Sequence, residues 1–283
     1  MFRKIKIILD MIKFEHTVFM LPFAIMSAFI ASDGLPALDK FAWILVAMVG
    51  ARSCAMAFNR LADAEIDKAN PRTSMRAIPA GLIAKGAVWA FTLVSAALLM
   101  FAAYNLNPLA FALSPVALVV IMGYSYTKRF TSFSHLWLGI SLSIAPIGAW
   151  IAIKGQFDWT PTLLGLAVLL WAAGFDIIYA CQDFDFDRKH RLYSIPAKFG
   201  IRPALWISSV LHVVMITVLL GVTLLTNLGV VYLVGVGIVI VILVYEHAIV
   251  KPHDLSRVNL AFFTLNGMVS LVLMALSVVD LVW

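Results

Sequence analysis

Residues 41–81 read FAWILVAMVGARSCAMAFNRLADAEIDKANPRTSMRAIPAG, a long apolar run that gives way at Asn59 to polar, charged sequence. Read as a helical continuation of that run, Asn59, Asp63 and Asp67 recur at i, i+4 and i+8 and form one stripe on one face. Like charges at this spacing cost an isolated helix a few tenths of a kcal/mol, so local helix stability does not account for them and a bound cation would.

Outward from this stretch the chain is mostly apolar. Its 283 residues are 63% hydrophobic and only 13% charged, with a mean hydropathy of +0.97, outside the balance of a soluble domain. Apolar runs of spanning length fall near 17–33, 41–58, 86–104, 108–126, 135–153, 161–181, 203–226, 229–250 and 258–282. The expectation is an all-α, polytopic integral membrane protein of about nine transmembrane helices around a central cavity. Connections as short as 105–107 leave no room for a soluble domain, so residues 1–283 read as one membrane domain.

Of the 21 Lys and Arg, all but Lys40, Arg52 and Lys154 fall in the N-terminal segment or the loops after spans two, four, six and eight. The positive-inside rule then puts the N-terminus and both acidic segments on the cytoplasmic face and the C-terminus outside, in the inner membrane if the source is bacterial. The pI near 9.4 reports topology and contact with anionic lipid, and no feature suggests nucleic-acid binding. Residues 1–16 mix bases with apolar residues at helical spacing and suit the membrane interface. A cleaved signal peptide competes weakly, since no small-residue cleavage site ends the apolar run. Cys54 and Cys181 read as small buried residues.

Nearly half of the 15 Asp and Glu lie in 59–81 and 176–187. Asp63-x-x-x-Asp67 recurs 120 residues later as Asp183-x-x-x-Asp187, and Ile78-Pro79-Ala80 recurs as Ile195-Pro196-Ala197. Two related halves follow, each giving one acidic helix end and one basic loop. Asp176, Tyr179, Asp183 and Asp187 again share a helical face that begins within the membrane, where acids are costly and point to function. Glu65, Asp185 and Lys189 read as solvated loop ends.

Carboxylate pairs converging on one mouth suit Mg²⁺, which binds through a few carboxylates plus substrate phosphates. Nearby bases, among them Arg72, Arg76 and Lys128, can neutralise a polyphosphate. Arg52, seven positions before Asn59, lies roughly 10 Å deeper on the same face and requires a polar cavity below the acids. A lipid-tailed allylic diphosphate fits this inventory, with Phe58, Tyr124, Tyr126, Phe175 and Tyr179 as candidates to shield a carbocation.

The pattern N-x-x-x-D-x-x-x-D at Asn59, Asp63 and Asp67 resembles the first aspartate-rich motif of the UbiA family of intramembrane aromatic prenyltransferases. The run at Asp176, Tyr179, Ala180, Asp183 and Asp187 resembles its second, and the likeness covers the whole chain. It implies Mg²⁺-dependent transfer of a polyprenyl group to an aromatic ring in ubiquinone or menaquinone biosynthesis. Asn59, Asp63, Asp183 and Asp187 would hold Mg²⁺ and diphosphate, with Asp67 and Asp176 in support. GYSYTKR resembles the loop that would place Lys128, Arg129 and Tyr126 on the diphosphate. Where many members carry Asp after the first Asn, Arg60 stands here. EHTVFMLPFA and FNRLADAEIDKANPRTSMRAIPAG look most like the 4-hydroxybenzoate polyprenyltransferase-like branch, including enzymes of the futalosine route. The acceptor would be 4-hydroxybenzoate or a dihydroxynaphthoate, its carboxylate met by Arg52 or His16. A cation-coupled transporter is the competing class. Transporters usually place their acids near the midplane on broken helices, whereas here the acids sit at span ends beside basic loops.

Overall fold

The computed structural model describes residues 2–12 and 19–283, with the backbone alone for residues 2–6; His16, a candidate acceptor ligand, lies outside the described residues. Among the described residues the chain is helical and forms no β-strand. It is a multi-pass integral membrane protein. Among the described residues, eight helices are long and apolar enough to cross a bilayer. The first expected span, 17–33, differs. Its described part is α2, Leu21–Ser32, whose 12 residues rise roughly 18 Å, short of the ~30 Å hydrocarbon core.

An amphipathic helix, α1 (Phe2–Ile12), precedes α2 and buries Met11 and Ile12 against Ala57 and Ala64. The chain continues as α3 (Leu38–Ala62), the short α4 (Ala64–Ala69), α5 (Lys85–Leu106), α6 (Pro108–Thr127) and α7 (Ser134–Lys154). Then come α8 (Trp159–Ala180), a 3₁₀ turn over Cys181–Asp183, α9 (Phe184–Lys189), α10 (Ile195–Phe199), α11 (Ile201–Val222) and α12 (Val230–Ile249). A π-helical turn, Leu260–Leu265, leads into α13 (Asn266–Val282).

Neighbours in sequence pack as neighbours in space, α3 on α5, α7 on α8, α8 on α11 and α12 on α13, while α2 closes the ring against α7 and α13. Close approach needs small residues, since lipid supplies no hydrophobic drive between helices. Gly139 on α7 sits against the backbone of Leu169 on α8, where any Cβ would collide. Some polar links run from side chain to backbone: Ser27 donates to the Pro146 carbonyl at 2.6 Å, tying α2 to α7. Asn107 caps α6 through Ala110 N–H at 2.9 Å and donates to the Ile151 carbonyl at 2.8 Å.

The π turn has an identifiable brace. Buried Trp171 donates from Nε1 to Asn266 Oδ1 at 2.6 Å, and Asn266 Nδ2 donates to the Ala261 carbonyl at 3.0 Å. Such bulges concentrate at functional sites, and this one turns Phe262 and Phe263 toward the cavity that the helices enclose.

Candidate active site

Both acidic segments follow the same backbone course. α3 stops at Ala62 and α4 starts at Ala64, with Asp63 between them at φ −92°, ψ 2°. α8 stops at Ala180, and Asp183 ends the 3₁₀ turn at φ −99°, ψ 9°. The expected uninterrupted helices are therefore corrected to helices broken at the aspartates. The i to i+4 relation survives the first break, since Asp63 N–H bonds the Asn59 carbonyl at 2.9 Å and Asp67 N–H the Asp63 carbonyl at 2.8 Å.

The two breaks meet at the mouth of one cavity of about 1130 Å³. Asn59, Asp63, Asp67, Asp176, Asp183 and Asp187 all line it. Each aspartate has a partner. Lys128 donates to Asp63 Oδ2 at 2.7 Å, and Asn59 Nδ2 to the same oxygen at 3.1 Å. Arg76 forks onto Asp67 at 2.7 and 2.9 Å. Arg72 reaches from the first segment's loop to the second segment, donating from Nε to Asp183 Oδ1 at 3.0 Å and from NH1 to the Tyr179 hydroxyl at 2.8 Å. Loss of water works against the Arg72 charge, but Asp183 and Tyr179 outweigh it and raise its pKa above the ordinary range. Asn70 donates to Asp183 Oδ1 at 3.1 Å and accepts the Arg72 backbone N–H at 2.9 Å, fixing that loop. Ser194 donates to Asp187 Oδ2 at 2.9 Å.

Below this rim the wall becomes apolar and aromatic. Tyr179 packs on Phe262 with centroids 4.2 Å apart and the rings tilted by 36°, and Phe262 meets Phe175 at 5.2 Å. Tyr124 and Arg52 also line the cavity. Arg60 is buried, its Nε bonding the Met11 carbonyl at 3.2 Å and its NH1 the Asn59 Oδ1 at 3.4 Å, so it ties α1 to the motif helix.

Two expected diphosphate ligands are outside the cavity lining. Tyr126 is 42% exposed and outside the cavity lining, packed on Phe58 with the Arg129 guanidinium over its ring at 4.9 Å. Helix geometry gives the reason: Tyr124 and Tyr126 are about 200° apart on α6, and only Tyr124 faces inward. Arg129 is also outside the lining, bonding the Ala62 carbonyl and standing 3.5 Å from Asp63 Oδ1. Phe58, likewise a candidate shield, packs on Trp89 and does not line the cavity. Sequence reading missed Asn70, Ser125, His135, Ser194, Phe262 and Phe263, all in the lining. Only the repeat of an Ile-Pro-Ala segment near Ser194 gave any signal for them.

Mg²⁺ prefers hard oxygen ligands, which this rim supplies. Asp63 Oδ1 is buried and accepts no hydrogen bond, an oxygen suited to a cation. Among the described residues no three acidic, His or Cys side chains are gathered closely enough to hold an ion alone. That spacing suits an ion whose remaining ligands are phosphate oxygens.

Against known proteins, the profile of the UbiA prenyltransferase family matches residues 20–268. The 4-hydroxybenzoate octaprenyltransferase of Vibrio parahaemolyticus is 29% identical over 243 residues, covering 85% of each chain. That of Vibrio atlanticus is 30% identical over 174 residues, 62% of this chain and 61% of its own. Among solved structures, a UbiA homolog from Aeropyrum pernix K1 superimposes with a TM-score of 0.86 at 33% identity, covering 94% of this chain and 98% of that one. A UbiA homolog from Archaeoglobus fulgidus bound to GPP and Mg²⁺ shares the fold at a TM-score of 0.76 and 21% identity, over 97% of this chain and 99% of its own.

Proposed function

Because the chain belongs to the UbiA prenyltransferase family, we propose that it transfers a polyprenyl group from an allylic diphosphate to the ring of an aromatic acid, 4-hydroxybenzoate or a dihydroxynaphthoate, in quinone biosynthesis. The observation that carries this reading is the Arg72 bridge, which joins two acidic helix breaks over a single cavity with aromatic walls. A charged headgroup at the rim and an apolar tail below match that polarity.

Asn59, Asp63, Asp67, Asp183 and Asp187 would hold Mg²⁺, which supplies charge neutralisation on the departing diphosphate. Arg72, Arg76 and Lys128 reach the same rim and would take diphosphate oxygens as their aspartates turn to the ion. Tyr179, Tyr124, Phe175 and Phe262 flank the region below, where their ring faces would stabilise a developing allylic cation and keep water from it. Arg52 would meet the acceptor carboxylate deeper in the cavity. The distribution of Lys and Arg supports a rim facing the cytoplasm. Transport draws no support from the site: every rim aspartate at the two breaks except Asp187 already pairs with Lys or Arg, as an anion site requires.

Purified protein in detergent, given Mg²⁺, labelled geranyl diphosphate and a panel of aromatic acids, should yield a ring-prenylated acid. Failure with every acceptor, accompanied by cation flux in liposomes, would replace the enzymatic reading with transport. Arg52→Ala should raise the acceptor KM about tenfold or more, the loss expected for a charge-assisted hydrogen bond, and leave the KM for diphosphate unchanged.

A further inference from the structure

One titratable pair in the cavity wall takes no part in holding the headgroup. Asp176 on α8 lies seven residues before Asp183, roughly 10 Å along the helix toward the membrane interior. Its partner is His135, on the first turn of α7 and only 3% exposed. His135 Nδ1 is 2.7 Å from Asp176 Oδ2, and its Nε2 is 3.2 Å from the backbone nitrogen of Ile195.

These two contacts fix the tautomer. A backbone N–H can only donate, so Nε2 must present its lone pair, and the proton of the neutral ring sits on Nδ1, aimed at the carboxylate. The Ile195 N–H is one of the donors left without a partner at the start of α10, where Ser194 caps Ala197 at 3.2 Å. The imidazole therefore bridges a helix start on one side and an acid on the other. Asp176 Oδ2 is engaged, while Oδ1 has no hydrogen bond among the described residues and Asp176 lines the cavity.

We propose that His135 is a positioning residue that orients Asp176 so that its Oδ1 takes the proton lost from the acceptor ring. The inference rests on the prenyl-transfer reading above. In that reaction the allylic C–O electron pair leaves with diphosphate, and a ring π pair forms the new C–C bond. The C–H bond at the substituted carbon then breaks, its electrons restore the aromatic ring, and the proton goes to Asp176 Oδ1. His135 keeps its own proton throughout. The same Nδ1–H donates to Oδ2 whether Asp176 is the anion or the acid, so the pair needs no rearrangement during the step. Asp176 stands below the rim, where an acceptor ring lying beneath the headgroup would present its edge.

The test is the response to 4-hydroxybenzoate carrying deuterium on both ring carbons next to the hydroxyl, with geranyl diphosphate as donor. His135→Leu should lower kcat about 100-fold, the scale of a lost general base, with the KM for geranyl diphosphate within about twofold. Proton removal should then limit the rate, so a ring-deuterium isotope effect on kcat larger than that of the unsubstituted protein is expected. His135→Gln, with one donor and one acceptor on the same side chain, should recover most of the rate. An unchanged kcat in His135→Leu, or a fall in kcat with no added isotope effect, overturns the proposal. Should His135→Leu not be recovered from membranes, Asp176→Asn decides, and an isotope effect equal to that of the unsubstituted protein overturns it. Absence of any ring-prenylated product from the unsubstituted protein is a separate outcome, which removes the prenyl-transfer reading itself.

Discussion

The two acidic breaks share a sequence pattern and nearly the same backbone angles, yet they are embedded differently. Asp63 and Asp67 are each 3% exposed and paired with bases, whereas the Asp183 side chain is 19% exposed and Asp187 lies on a short helix with no buried residue. The helices behind them differ the other way: two-thirds (67%) of the span window on α8 is buried, against 28% on α3. So α3 is a wall helix with a buried acidic end, and α8 is the central helix with a more open one. One basic partner crosses between the segments and another comes from the loop after α6. Asp183 receives Arg72 from the first segment's loop, and Lys128, which pairs with Asp63, also accepts the Tyr193 N–H through its carbonyl at 2.7 Å. Neither copy is complete alone, which is how a duplicated element becomes one asymmetric site.

The largest expected effects test whether both copies are needed. Asp63→Ala and Asp183→Ala should each lower kcat by about 100-fold or more, while each variant still inserts and elutes as a single species in detergent. Full activity in either would show that one copy suffices and break the comparison. Next is the bridge. Arg72→Ala should raise the KM for prenyl diphosphate about tenfold to a hundredfold, the scale of hydrogen bonds to charged groups. Arg72→Lys should recover only part of this, because an ammonium cannot make the two-nitrogen contact to Asp183 and Tyr179. Combined with Asp183→Asn the losses should not add, since the two side chains share one contact.

The bundle and the acidic rim were legible in the sequence because both depend on local signals. Apolar length gave nine spans, eight of which are helices long enough to cross, and side-chain spacing gave the rim positions from Asn59 to Asp187. The short α2 was not legible, because hydropathy counts apolar residues and Leu21–Ser32 is apolar except for Ser27 and Ser32, buried in protein as well as facing lipid. Nor was the helix break at Asp183, where a 3₁₀ turn replaces α-helical hydrogen bonds without a Gly or Pro to mark it. The partners were the least legible. His135, Asn70 and Phe262 reach the cavity from elements distant in sequence, and no spacing rule relates residue 135 to 176 or 262 to 179.

The smallest expected effect follows from a likeness between two ring contacts that does not extend to function. Two arginines lie over tyrosine rings, Arg129 over Tyr126 at 4.9 Å within the first half and Arg72 over Tyr179 at 5.1 Å between the halves. The pairs face opposite ways. Tyr179 lines the cavity and its hydroxyl accepts from Arg72, whereas Tyr126 packs on Phe58 outside it. Removing each hydroxyl separates contact from resemblance. Tyr179→Phe should raise the KM for prenyl diphosphate a few-fold, about 0.5–1.5 kcal/mol for one hydrogen bond, because Arg72 loses an anchor. Tyr126→Phe should leave both KM values and kcat within about twofold, since Tyr126 lies outside the cavity lining. A Tyr126→Phe loss matching that of Tyr179→Phe would mean that α6 turns its outer face to the headgroup during turnover, and the assignment of inner and outer faces would have to be reversed at that helix.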